Sequence, residues 1–215
     1  MNQGQEGRAP EAPLTRTKLR AGASCGGFSL IELLATALII MILFTMYWGG
    51  NSGSRQKSRQ ATCRQNLQKV YIALEIFGNE HGGNYPNKAG AKTSAEALDL
   101  LVPKYTADTS VFICPGTGDS APPGGESIAN RRISYAYYMG RKSGSAEEAL
   151  MTDRQINTAS KTTNQPIFSN TGKAPGNNHK QYGGNILFCY GHADATPPNS
   201  AFSLVLTQGV VLLNP

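Results

Sequence analysis

Charge is scarce in this chain. Only 16% of its 215 residues are Asp, Glu, Lys or Arg, too few for a bundle of long solvated helices. Cysteine is also sparse and widely spaced: Cys25, Cys63, Cys114 and Cys189 include no C-x-x-C pair, which excludes a zinc ribbon or a thioredoxin-like motif. No G-x-S-x-G elbow is present, so an α/β-hydrolase nucleophile is excluded. No oxygen-ligand spacing of the EF-hand type occurs, and no internal repeat is found. What the chain does hold is turn formers and core formers. Its 24 Gly and 12 Pro, with 40% hydrophobic residues, nine Tyr and seven Phe, predict one compact, loop-rich domain rather than disorder.

One segment stands apart. Phe28 to Trp48 reads FSLIELLATALIIMILFTMYW, with Glu32 as its only charge. As a helix it is about 30 Å long, the thickness of one bilayer core. A carboxylate unpaired near the bilayer centre costs on the order of 2.5–3.5 kcal/mol. Glu32, one turn from the start, costs less but still calls for a partner. A secretory signal places its small residues after the apolar run and loses that run on cleavage. Here Ser24-Cys25-Gly26-Gly27 come before it, so cleavage leaves the helix on the mature chain. A lipoprotein box at Cys25 is excluded, because no apolar stretch precedes it. Upstream, Arg8, Arg16, Lys18 and Arg20 outnumber Glu6 and Glu11; downstream stand Arg55, Lys57, Arg59 and Arg64. Basic residues on both flanks leave the orientation undecided by charge. The downstream run is read as a solvated, membrane-flanking helix face rather than a nucleic-acid site.

Gly27-Phe28-Ser29-Leu30-Ile31-Glu32-Leu33-Leu34 resembles the prepilin motif, commonly GFTLIELL, of the type IV prepilin and type II secretion pseudopilin families. The resemblance implies that residues 1–27 are a cytoplasmic leader, removed by an inner-membrane prepilin peptidase between Gly27 and Phe28. It implies N-methylation of Phe28, and pairing of Glu32 with the N-terminal amine of a neighbouring subunit during assembly. It also places the chain in the inner membrane as a single-pass protein of a bacterial cell, with the C-terminal domain on the periplasmic, extracytoplasmic side.

Beyond the apolar segment, Gly49 to Ser54 predicts a flexible break, since Gly is about 1 kcal/mol worse than Ala in a helix. Helix resumes over residues 55–80, with Leu67, Val70, Tyr71, Leu74 and Phe77 forming one apolar stripe, and ends at Gly78 and His81-Gly82-Gly83. Ser94 is the expected cap of a short helix through Leu101, stopped by Pro103. Strands are predicted at 133–139, 167–169, 185–190 and within 203–213, with long loops at 116–127 and 158–166. The fold class is α+β: a long N-terminal helix, its first half transmembrane, and a small antiparallel sheet.

The resemblance to pseudopilin-like proteins continues at Cys63-Arg64-Gln65-Asn66-Leu67, at Gly83-Asn84-Tyr85-Pro86, at Val111-Phe112-Ile113-Cys114-Pro115 and at Ile133-Ser134-Tyr135-Ala136-Tyr137. A subgroup ends on an H-x9-DG motif. Here His179 is followed by Tyr190-Gly191-His192, with Tyr190 where the Asp is expected.

Four sharper sites were weighed against plainer roles. Cys114, His179, Cys189 and His192 are ligand-type residues, but a structural role for the cysteines is the expectation, with no metal and no cofactor. In an exported domain Cys114 and Cys189 are the candidate disulfide pair; sequence leaves their proximity open. Asp153, Asp194, Asn177, Asn178 and Asn185 offer oxygens for calcium without a ligating pattern. Arg131, Arg132, Arg141 and Lys142 with Tyr135, Tyr137 and Tyr138 suggest a basic, aromatic surface, yet the tyrosines alternate as a packed strand does, so nucleic acid is not an expected partner. The reading is a non-enzymatic, membrane-anchored fibre subunit, with other pilin or pseudopilin subunits, the peptidase and inner-membrane lipid as partners. The alternative is a tip-located minor pilin that binds DNA or a secreted protein.

Overall fold

The computed structural model describes residues 27–48, 52–145 and 147–215. They fall into two compact units, Met1–Gly49 and Gly50–Pro215. The leader up to residue 26, with Cys25, and Gly49 to Asn51 of the expected break lie outside the described residues.

The first unit contributes one helix, α1 (Leu30–Trp48), 19 residues long. Its window Leu30–Tyr47 is long and apolar enough to cross a membrane, and none of it is buried within the protein. Its two threonines are turned back on its own backbone. Thr36 Oγ1 donates to Leu33 O at 2.9 Å, and Thr45 Oγ1 donates to Ile42 O at 2.8 Å. A helix that satisfies its own hydrogen bonds is what a bilayer core requires.

The second unit is built on α2 (Ser52–Glu80), 29 residues long. The helix expected from Arg55 begins three residues earlier, so Ser52, Gly53 and Ser54, read as part of a break, are helical. Its inward face is Gln56, Gln60, Cys63, Leu67, Val70, Leu74 and Phe77, all buried, at the spacing of three and four that marks one side of a helix. The backbone NH of Gly83 closes the C-terminus on Gly78 O at 2.8 Å. Next comes α3 (Ser94–Leu98), whose cap is Thr93 rather than Ser94: the Thr93 hydroxyl accepts from Glu96 N. Ser94 instead donates its own hydroxyl to Tyr135 O at 2.7 Å, tying the helix to the sheet.

Five antiparallel strands follow: β1 (Tyr135–Met139), β2 (Ala149–Asp153), β3 (Gly184–Phe188), β4 (Ala193–Thr196) and β5 (Val211–Leu213), in the order β4-β3-β2-β1-β5. Both faces are covered. Tyr135, Tyr137, Leu187 and Leu213 pack toward the core that contains α2. Ala136, Tyr138, Ile186 and Leu212 pack beneath Ile167, Phe168 and Leu204 from the long loops. The plan is the α+β, pilin-like one expected. Three strand expectations change. Residues 167–169 form loop backbone hydrogen-bonded to Pro198. The broad run 203–213 keeps only its last residues as β5. Two strands, β2 and β4, appear where none was expected.

Candidate functional site

The residues that the N-terminal motif singles out sit together at the start of α1. Gly27, Phe28 and Ser29 precede the helix in non-helical backbone and are exposed. Ser29 O accepts from the backbone NH of Glu32 at 2.9 Å and of Leu33 at 3.1 Å, which starts the helix. Glu32 therefore lies in the first turn, where the helix dipole favours an anion. Among the described residues no cation lies against it. The bond between Gly27 and Phe28 is sterically open: Phe28 is 77% exposed, and nothing packs within 4 Å of a Cβ built on Gly27.

Comparison with protein families supplies what geometry here does not. Residues 22–48 match the family described as the prokaryotic N-terminal methylation motif. The chain carries the prepilin-type signature. Neither curated proteins nor solved structures yield a match to it. The prepilin-type segment covers α1 and its approach; the globular unit is characterised from its own residues.

In that unit the candidate disulfide is corrected. Cys114 is bonded to Cys63, with Cα atoms 5.1 Å apart, and Cys189 is a buried free thiol. The reason lies along α2. Cys114 follows the 3-10 turn Thr109–Phe112, which docks on the start of the stripe, where Asn66 Nδ2 donates to Ile113 O at 3.0 Å. Cys189 follows β3 and meets α2 at Tyr71, whose hydroxyl donates to Cys189 O at 3.1 Å. Cys63 and Tyr71 are about 12 Å apart along the helix axis, whereas a disulfide needs Cα atoms within about 7 Å. Burial pushes the Cys189 thiol up to about 12, with Arg141 acting in the opposite direction, so it is no ready nucleophile.

Near the disulfide lies a set of buried polar groups. Asp153 ends β2, and its carboxylate is fully buried. Asn178 Nδ2 donates to Oδ1 at 2.8 Å; Asn185 donates to Oδ2 from its backbone N at 2.7 Å and from Nδ2 at 2.9 Å. His179 Nε2 is 3.3 Å from Asp153 Oδ2 and 3.4 Å from Cys114 Sγ. A turn presents these side chains: Lys180 N bonds Asn177 O, and Tyr182 N bonds His179 O. Gly116 is indispensable to it, because a Cβ there would lie 2.1 Å from Asn178 O and 2.9 Å from His179 Nδ1. Asn185 also reaches α2, donating Nδ2 to Gln60 O at 3.1 Å, while Gln60 Nε2 donates to Gly184 O at 2.9 Å.

Of the calcium candidates, Asp153, Asn178 and Asn185 are thus brought together, but as hydrogen-bond partners of one another. Asp194 stands elsewhere, 2.9 Å from His192 on the exposed β3–β4 hairpin, and Asn177 turns to Gly172 O. The four ligand-type residues are likewise split: Cys114 and His179 meet, while Cys189 and His192 belong to the hairpin. Gly191 in that hairpin has φ +86, and a Cβ there would strike the Tyr71 ring at 2.6 Å, a structural reason for the glycine of the terminal motif. The basic, aromatic surface does not form. Tyr135, Tyr137 and Tyr138 are at most 1% exposed and Arg141 is 6% exposed, so these rings cannot stack on bases.

Sequence reasoning missed Cys63 as the bonding partner, although a signal existed. Extending the apolar stripe backward from Leu67 by one turn lands on Cys63. It also missed the ion pair of Asp119 and Arg154, 2.8 Å apart and both nearly buried, because nothing local marks those two residues as partners.

Proposed function

We propose that the chain is a structural subunit, pseudopilin or minor pilin, of a type IV pilus- or type II secretion-type fibre. The prepilin peptidase cuts between Gly27 and Phe28, and the new N-terminal amine of Phe28 is methylated. The exposed α1 anchors the subunit in the inner membrane until assembly, when the helices leave the bilayer and pack into a fibre core. Glu32 of one subunit then meets the amine on Phe28 of the next, giving a carboxylate in apolar surroundings a cationic, hydrogen-bonded partner. The observation that carries this reading is the methylation motif at residues 22–48 joined to a helix long and apolar enough to cross a membrane, whose window Leu30–Tyr47 is not buried. The Cys63–Cys114 bond supports a globular domain on the oxidising, extracytoplasmic side.

The test is Glu32→Ala. Leader removal, read by the mass of the mature chain, is expected to proceed normally, while the fraction recovered in sheared fibres falls sharply. Normal fibre incorporation by this variant would remove the proposed role of Glu32.

A further inference from the structure

Four ligand-type atoms from distant parts of the chain converge in one buried place: the sulfurs of Cys63 and Cys114, an oxygen of Asp153 and a nitrogen of His179, all within 4.8 Å of one another. We propose that, when the Cys63–Cys114 bond is reduced, these four residues form a closed, tetrahedral zinc site. The globular unit then has two alternative staples at one position, a disulfide under oxidising conditions and a metal under reducing ones.

The spacing supports this. Zinc holds thiolate sulfur at about 2.3 Å and nitrogen or oxygen at about 2.0–2.1 Å. The edges of such a tetrahedron are therefore about 3.5 Å for nitrogen to sulfur and about 3.3 Å for nitrogen to oxygen. His179 Nε2 already lies 3.4 Å from Cys114 Sγ and 3.3 Å from Asp153 Oδ2. Once the sulfur–sulfur bond is broken, the two sulfurs part to about 3.8 Å, and the other three edges, from His179 to Cys63 and from Asp153 to both sulfurs, start within 4.8 Å. Two thiolates, an imidazole and a carboxylate are a donor set that favours zinc over calcium or magnesium.

The surroundings suit a metal as well. Asp153 is oriented by Asn178 and Asn185, and the backbone NH of Gly116 points at Cys114 Sγ at 3.3 Å. Outer hydrogen bonds of this kind hold ligands in place. His179 Nδ1 has no hydrogen-bond partner among the described residues, and it is Nε2, not Nδ1, that faces the cluster.

The exchange balances. A dithiol passes two electrons to the Cys63–Cys114 bond, becomes a disulfide itself, and its two protons end on the two cysteine sulfurs. Zinc then displaces both thiol protons to solvent, and the neutral imidazole binds it through the Nε2 lone pair, with its one ring proton on Nδ1. A dication with two thiolates is neutral, as the disulfide was. The buried charge is therefore unchanged, and Asp153 keeps the same amide donors.

The test uses the full chain in detergent micelles, with Cys25→Ser and Cys189→Ser as background. It is reduced anaerobically with a phosphine, which is oxidised to its phosphine oxide and leaves no thiol to compete for metal. Cobalt(II) is then added as a spectroscopic probe. The expected result is one cobalt per chain with thiolate charge-transfer and tetrahedral d–d absorption, displaced by one zinc. The oxidised chain is expected to bind none, and His179→Gln is expected to lose the tetrahedral spectrum. Absence of cobalt binding by a reduced chain that keeps its native circular dichroism would overturn the proposal. So would an undiminished spectrum in His179→Gln. If reduction alone unfolds the chain, refolding on addition of zinc supports the site, and failure to refold overturns it.

Discussion

Glu32 and Asp153 are carboxylates in different surroundings, and they are stabilised differently. Asp153 receives three N–H donors from Asn178 and Asn185 inside its own fold, so its charge is dispersed where it stands. Glu32 has only the dipole of its helix among the described residues, which is the physical ground for assigning it a partner on another chain. Cys189 differs again, as a thiol kept protonated by burial. Its folded pKa is raised to about 12 from an ordinary value of 9.0, so the folded state holds the proton more tightly than the unfolded chain does. Below the unfolded value both states are protonated and nothing is lost. As pH rises through about 9 toward 12 the unfolded chain ionises first, and stability declines. Urea midpoints for the wild type and Cys189→Ala across this range are expected to converge as pH rises, because the variant has no thiol to ionise. A wild-type midpoint that falls no faster than the variant's above pH 9 would contradict the assignment.

At the scale of elements, α2 organises the globular unit. One stripe of its residues meets the sheet, the 3-10 turn before Cys114 and the β3–β4 hairpin, each at a different level along the axis. The disulfide fastens the level of the 3-10 turn and links residues separated by 51 in sequence. In the chain-entropy account, removing such a crosslink costs about 4 kcal/mol. Cys63→Ser with Cys114→Ser is therefore expected to lower the urea-derived stability by roughly that amount under oxidising conditions, while Cys189→Ser leaves the crosslink intact on a non-reducing gel. The stripe from Leu67 to Phe77 was legible in the sequence because helical periodicity is local. Strands β2 and β4 were not. ALMTD carries residues as suited to helix as to strand, and ADAT is short and polar; β2 becomes a strand by pairing between β1 and β3, and β4 by pairing with the other edge of β3. The same docking explains why Gln60 is buried. The Gln60 amide donates to Gly184 O at the start of β3, which no hydropathy pattern records.

For the whole molecule, the division into two compact units separates two tasks. The first presents an apolar helix of membrane-spanning length; the second has its own core, covering both faces of its sheet. Residues 52–215 produced in an oxidising compartment are therefore expected to fold as a soluble domain, with cooperative urea unfolding and a protected Cys189. A molten, aggregating product would show that α1 contributes to the core.

The anchor and the processing motif were decided by sequence alone, because a bilayer-length apolar run and eight adjacent motif residues are properties of contiguous chain. The part of α2's inward face from Leu67 to Phe77 was decided in the same way. The partner of Cys114, the meeting of His179 with Asp153 and the burial of the tyrosines were decided only by tertiary structure. Each depends on which level of α2 a distant segment reaches, and that is set by strand pairing and packing across the whole unit. At residues 27–34 sequence is enough to say what the chain resembles. At Cys63, Cys114, Asp153 and His179 only the fold brings the chemistry together.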